Sequence, residues 1–209
     1  MPSVLLSSMA PSFRIAIIGG GIGGLCAALS IHHHCSPLNV RLQIDVYEQA
    51  SQYREIGAGV AIGVNAAKLL HHLGLRENLN AIAGDRNGVW ISFRRYDDAA
   101  EILTIPADDS KVIRQLSVHR AELLDVLCAA VKERNAAVLH TGKRCESVTQ
   151  NGNEATAVFQ DGTSATADLV VGCDGIHSVV RQSFAADKPV YSGRIAVSAV
   201  TGGVYCTTS

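Results

Sequence analysis

The sequence predicts an α/β fold, a parallel sheet carrying an inserted antiparallel β-meander. Three observations carry that expectation. A β-branched, apolar strand, Phe13-Arg14-Ile15-Ala16-Ile17-Ile18, runs directly into a glycine cluster and then into a helix of small residues. A second strand follows and ends in Glu48. Between Lys143 and Val171 the apolar period falls to two, broken by two hairpin signals, Asn151-Gly152 and Asp161-Gly162. With 209 residues, 47% hydrophobic and 18% charged, the chain has ample material for a core and is too apolar for disorder. Its 18 Lys plus Arg against 19 Asp plus Glu leave a net charge of −1. That balance gives no basic surplus for nucleic acid and no acidic interaction tail.

Residues 1–12 read as an N-terminal extension. Met1 to Pro11 carries no Lys or Arg and only the short apolar group Val4-Leu5-Leu6, a poor secretory signal or transit peptide. Phe13 to Ile18 suits a strand buried on both faces. Leu25 to Ile31 reads as a helix, ended by His32-His33-His34-Cys35-Ser36-Pro37. Consecutive helical residues point about 100° apart, so the three histidines do not face one ion. They read as a solvated helix end, and no metal site is assigned. The uncharged run Ile15 to Ile31 lies at the short limit of a membrane span, and its glycines weaken the helix a span would need. No span is expected.

Val40 to Tyr47 alternates as a second strand, Gly57-Ala58-Gly59 marks a loop, and Asn65 to Leu73 forms a helix with Leu69, Leu70 and Leu73 on one side. Val89 to Tyr96 and Glu101 to Ile105 are expected as strands around an Asp97-Asp98 turn. A strand near Val112 to Leu116 leads into a helix from His119 to Arg134, whose Leu123, Leu127, Ala130 and Val131 make one apolar stripe. Three antiparallel strands at 143–149, 154–160 and 163–168 precede Leu169-Val170-Val171, then Gly172-Cys173-Asp174-Gly175 and a short helix. The six cysteines form no C-x-x-C pair and read as reduced thiols of a cytoplasmic protein.

The chemistry begins at Gly19-Gly20-Gly21-Ile22-Gly23-Gly24, which fits G-x-G-x-x-G through Gly19, Gly21 and Gly24. Its context strengthens it: a strand before, a helix after, and an acid at the end of the next strand. Gly19 allows the tight turn, Gly21 lets a pyrophosphate approach the backbone, and Gly24 lets helix and strand pack closely. The helix N-terminus adds free N–H groups and partial positive charge. Glu48 lies 24 residues after Gly24, against about 20 for an acid that binds a ribose, and the Ser36 to Asn39 loop absorbs the excess. A carboxylate there accepts from ribose hydroxyls and repels a 2′-phosphate, favouring FAD or NAD over NADP. A merely exposed strand-end Glu48 is the alternative.

Four motifs now stand in order: Ile17 to Leu25 with Glu48, Arg54-Glu55-Ile56-Gly57-Ala58-Gly59, His119-Arg120-Ala121-Glu122-Leu123, and Gly172-Cys173-Asp174-Gly175-Ile176-His177-Ser178-Val179-Val180-Arg181. Together they resemble the flavin-dependent aromatic monooxygenases of the salicylate-hydroxylase-like branch. The resemblance implies a Rossmann-like FAD-binding domain over residues 13–196, with NAD(P)H as co-substrate and a small aromatic acid as substrate. It implies that Arg120 contacts the FAD phosphate or ribose and that Gly59 passes close to the flavin. Asp174 and Gly175 would touch the pyrophosphate region, and Arg181 would hold that motif or bind NAD(P)H. Arg54 is a candidate flavin contact in a polar run, Ser51-Gln52-Tyr53, and a solvated surface arginine is the alternative for both Arg120 and Arg54. His177 reads as a surface helix residue rather than a catalytic base, Cys173 as a small buried filler, and no catalytic residue is assigned.

Residues 197–209 depart from the family pattern. Ser198 stands where the family often places an arginine, and the family's later Gly-Asp motif is absent from these residues. The resemblance therefore implies a chain truncated before the full substrate domain, keeping the adenine half of the cofactor site and not expected to hydroxylate by itself. A non-catalytic FAD-binding module is the rival from another class. An NAD-dependent dehydrogenase is disfavoured, because its nucleotide domain does not need the meander before Asp174.

Overall fold

A computed structural model of the chain describes residues 12–38, 40–53, 59–84, 88–107 and 113–193. In chain order the elements are β1 (Phe13–Ile18), α1 (Ile22–Cys35), β2 (Leu42–Tyr47), β3 (Gly59–Ile62), α2 (Val64–His72) and α3 (Arg76–Ile82). They continue with β4 (Val89–Arg94), β5 (Glu101–Pro106), β6 (Leu116–His119), α4 (Arg120–Glu133) and β7 (Val138–His140). The last are β8 (Cys145–Asn151), β9 (Glu154–Phe159), β10 (Ser164–Ala167), β11 (Leu169–Gly172) and α5 (Val179–Gln182). No helix among the described residues is long and apolar enough to cross a membrane.

The chain divides into two compact units. The first, residues 1–53 with 127–193, is built on a parallel sheet in the order β11-β1-β2-β7. β1 lies inside the sheet, and Ile15 to Ile18 are all buried, as expected for a strand covered on both faces. On one face Ile15, Ile17, Ile44 and Val46 pack with Ala28 of α1. On the other, Ile18 packs with Ala157 and Phe159 of the meander and Val180 of α5. The meander is the expected antiparallel set, β10-β9-β8. From β1 the chain moves through β2 to β7 on one side and returns to β11 on the other. The order therefore reverses between β1 and β11, where ligands of such sheets bind outside the carboxyl ends of the strands.

The second unit, residues 54–126 with 194–209, holds two short antiparallel ribbons, β3–β6 and β4–β5. Gly59 opens a strand rather than closing the expected loop, because β3 finds its partner in β6. The same pairing, Ile62 opposite Leu116, moves the strand expected near Val112 to Leu116 forward to Leu116–His119. α2 buries Leu70, with Leu73 just past its end, but Leu69 is 69% exposed, so the expected three-leucine side is a two-leucine one. The α4 stripe is as expected: Leu123, Leu127, Ala130 and Val131 are all buried. α1 runs through the histidine triplet to Cys35 instead of ending at it.

Candidate cofactor site

The glycine turn is built by close approaches on two sides and open space on a third. Gly19 sits at φ +99°, and a Cβ on it would lie 2.3 Å from the carbonyl oxygen of Cys173. Its N–H donates to the carbonyl of Tyr47 at 2.8 Å, while Cys173 N–H donates to Ile18 at 2.7 Å, so the exits of β1, β2 and β11 are tied together. A Cβ on Gly24 would fall 1.9 Å from the carbonyl oxygen of Gly19, which is why α1 can start so close to the turn. Gly21 differs: a Cβ there would meet nothing within 4 Å. Gly21 is also the N-cap of α1, with no side-chain cap and no acid in the first turn. An open backbone at the positive end of a 14-residue helix suits an anionic group.

Glu48 stands beside that turn. Its Oε2 accepts from Gly20 N–H at 2.7 Å and its Oε1 from Ala50 N–H at 2.8 Å. Each carboxylate oxygen keeps acceptor capacity for a further donor. Glu48 N–H donates to His140 of the neighbouring β7 at 2.8 Å, fixing the backbone at the strand end. Against the turn lies Tyr53, which no sequence motif singles out. A Cβ on Gly20 would meet its hydroxyl at 2.6 Å and the Glu48 Cβ at 2.8 Å, so only glycine fits between them.

Asp174 and Gly175 follow β11 at the same end of the sheet. The Asp174 carboxylate accepts from Val179 N–H at 2.6 Å, from Val180 N–H at 3.2 Å and from the Ser178 hydroxyl. It thus braces the start of α5 from outside the helix, while Ser178 is the N-cap and its hydroxyl accepts from Arg181 N–H at 3.0 Å. Gly175 takes φ +80°. The Arg181 guanidinium is paired with Asp187 through Nε at 3.0 Å and through a second N–H. His177 is exposed, and it lies in the turn before α5 rather than on a helix. Gly59 and Arg120 belong to the second unit, where the β3–β6 register sets Gly59 opposite His119, next to Arg120 at the start of α4. Arg54 to Ala58 lie outside the described residues.

The thiols near the turn are not set up as nucleophiles. Burial pushes the Cys26 thiol up to about 11, with Cys173 adding to it, and burial then Asp174 raises Cys173. Both are protonated near neutral pH, the unreactive form. Cys173 packs half-buried against the core on one sheet face.

A protein-family model described as "FAD binding domain" matches residues 12–201. The chain belongs to this FAD-binding family. Among curated proteins, this FAD-binding chain is 38% identical over 181 residues to a salicylate hydroxylase of Pseudomonas putida, covering 84% of this chain and 39% of that one. It is 33% identical over 192 residues to a 6-hydroxynicotinate 3-monooxygenase of Bordetella bronchiseptica, covering 90% and 47%. A crystal structure of a variant of HpxO from Klebsiella pneumoniae, complexed with FAD, superposes with a TM-score of 0.64 at 26% identity, over 82% of this chain and 42% of that one. The chain thus corresponds to the FAD-binding portion of salicylate-hydroxylase-like flavoproteins, and it spans under half the length of these relatives.

Proposed function

We propose that the chain is the FAD-binding portion of an NAD(P)H-dependent monooxygenase that hydroxylates small aromatic acids of the salicylate type. The observation that carries the reading is the open backbone at Gly21, set between an uncapped helix N-terminus and the Glu48 carboxylate. These residues fit FAD. Gly19 shapes the turn, Gly24 lets α1 approach it, and Gly21 leaves the room a pyrophosphate needs against N–H groups of matching charge. Glu48 uses its remaining lone pairs to accept from the ribose hydroxyls, and its charge disfavours a 2′-phosphate. Asp174, held by three donors, keeps the Asp174–Gly175 backbone fixed where β11 passes Gly19. Gly59 and Arg120, near one another through the β3–β6 register of the second unit, retain the cofactor-binding roles that the family resemblance implies. FAD, when bound, supplies the redox centre through which NAD(P)H and oxygen act on an aromatic ring.

The domain reading, residues 13–196 as the FAD-binding part, and a cytoplasmic location are part of the same proposal, the latter supported by five described cysteines that are free thiols. The test is a titration with FAD followed by an assay of NAD(P)H oxidation and product formation with salicylate-type acids. Saturable FAD binding supports the proposal, together with NAD(P)H oxidation that salicylate-type acids do not raise and no hydroxylated product, the behaviour expected of the FAD-binding portion by itself. Absence of FAD binding rejects it, and product only from non-aromatic or uncharged substrates rejects the substrate class.

A further inference from the structure

Among the described residues packed against the glycine turn, Tyr53 carries a polar atom that no hydrogen bond uses. Its ring tip lies on Gly20, and its hydroxyl is buried without a hydrogen-bond partner among the described residues. A phenylalanine would fill the same space and leave nothing unsatisfied, so the hydroxyl carries a cost in this arrangement. The neighbouring acceptor chemistry is the Glu48 carboxylate, whose stem touches the same Gly20. Both oxygens of that carboxylate are engaged by backbone N–H groups, Gly20 and Ala50.

We propose that Tyr53 is a positioning residue for the cofactor's ribose: when the dinucleotide loads, its O–H donates to Glu48 and holds that carboxylate turned toward the ribose hydroxyls. The inference rests on the FAD reading above. Loading gives Glu48 a second set of donors to face, and a carboxylate that swings toward the sugar releases part of its hold on the turn. Tyr53, wedged under Gly20, is placed to donate from the protein side while the ribose donates from the other. The hydroxyl is then unsatisfied without cofactor and satisfied with it. Its removal should therefore act in opposite directions on the two states.

The experiment compares wild type, Tyr53→Phe, Glu48→Gln and the double variant, each measured for apo thermal stability and for FAD affinity by flavin fluorescence. Tyr53→Phe is expected to keep or raise the apo Tm and to weaken FAD about ten-fold. In the Glu48→Gln background the Tyr53→Phe effect on FAD should shrink to about two-fold or less, because the charged acceptor is gone. A residue with a merely structural role would lower the apo Tm and leave affinity unchanged. Wild-type FAD binding with equal affinity in Tyr53→Phe, or a lowered apo Tm with equal affinity, overturns the inference while sparing the FAD reading. An undiminished effect in the Glu48→Gln background also overturns it. Lack of FAD binding by wild type rejects the FAD reading itself.

Discussion

The two ends of β1 and β11 are built in opposite ways. At their amino-terminal end Arg14 is clasped by Asp168: Nε at 3.2 Å, a terminal N–H at 2.7 Å and the Arg14 backbone N–H at 2.7 Å all donate to that carboxylate. Glu154 of β9 takes a further donor from the same guanidinium, and Thr166 O another at 3.3 Å. The Asp168 N–H returns a bond to Arg14 O at 3.0 Å. At the carboxyl end β1 runs into Gly19-Gly20-Gly21, where the backbone at Gly21 is open and Glu48 accepts from Gly20 and Ala50 N–H with lone pairs left over. One end is closed by an ion-pair cluster, and the other leaves an open backbone where the proposed cofactor site lies. Variants at the open end should therefore change binding, and variants at the clasp should change stability.

The largest effect is expected from Gly21→Val. The new side chain enters open space, so the fold should persist by far-UV circular dichroism, while FAD affinity drops more than about a hundred-fold because the pyrophosphate loses its approach. Normal flavin content in folded Gly21→Val protein would break the comparison at its open end. Glu48→Gln comes next. An amide recovers only part of a charged hydrogen bond, so calorimetry should show binding weaker by about 1.5–3 kcal/mol, with the fold kept and the melting temperature modestly lowered because one of the Gly20 and Ala50 N–H groups loses its acceptor.

Gly24→Ala sharpens the comparison from within the open end itself. Its Cβ would collide with Gly19 O, so this single methyl should lower stability in urea by about 1–3 kcal/mol, unlike the same change at Gly21. Equal midpoints for Gly21→Ala and Gly24→Ala would contradict the packing. The smallest effect concerns the clasp in acid. Arg14 holds the Asp168 carboxyl below its ordinary range, and Lys143 holds Asp161 at about 2. Such groups add stability that is present above their unfolded pKa near 3.9 and lost as pH falls through the lower folded values. Between about pH 4 and pH 2 the protein should therefore lose stability with proton uptake. Asp168→Asn should be less stable at neutral pH and flatter in that acid limb, with FAD affinity unchanged. A change in FAD affinity would show that the two ends are not separate.

The glycine turn of the open end was largely legible in the sequence, because its chemistry is local. A glycine at each required spacing, a strand before and a helix after are all contiguous, and the meander announces itself through Asn151-Gly152 and Asp161-Gly162. What stayed hidden depends on partners distant in the chain. β3 is four residues long and becomes a strand only by pairing with β6, more than fifty residues later. α3 starts at a Leu75 N-cap that offers no side-chain cap, so no N-terminal signal marks it. β7, three residues long, exists because β2 pairs with it, and that pairing also anchors Glu48. Within the site, Glu48 was readable from its distance to the glycines. Asp174 was readable as a motif but not as the acceptor for the first N–H groups of α5, and Tyr53 carried no pattern at all, since only the fold brings its hydroxyl against Gly20.

The measurement that bears most directly on the open carboxyl end is a calorimetric titration of the purified 209-residue chain with FAD, run beside NAD and NADPH. Saturable binding of one FAD per chain, undisturbed by excess NAD and lost in Gly21→Val but kept in Asp168→Asn, is the expected result. Heat from FAD indistinguishable from dilution, or NAD binding that FAD cannot displace, would contradict the assignment of this end of the sheet to FAD.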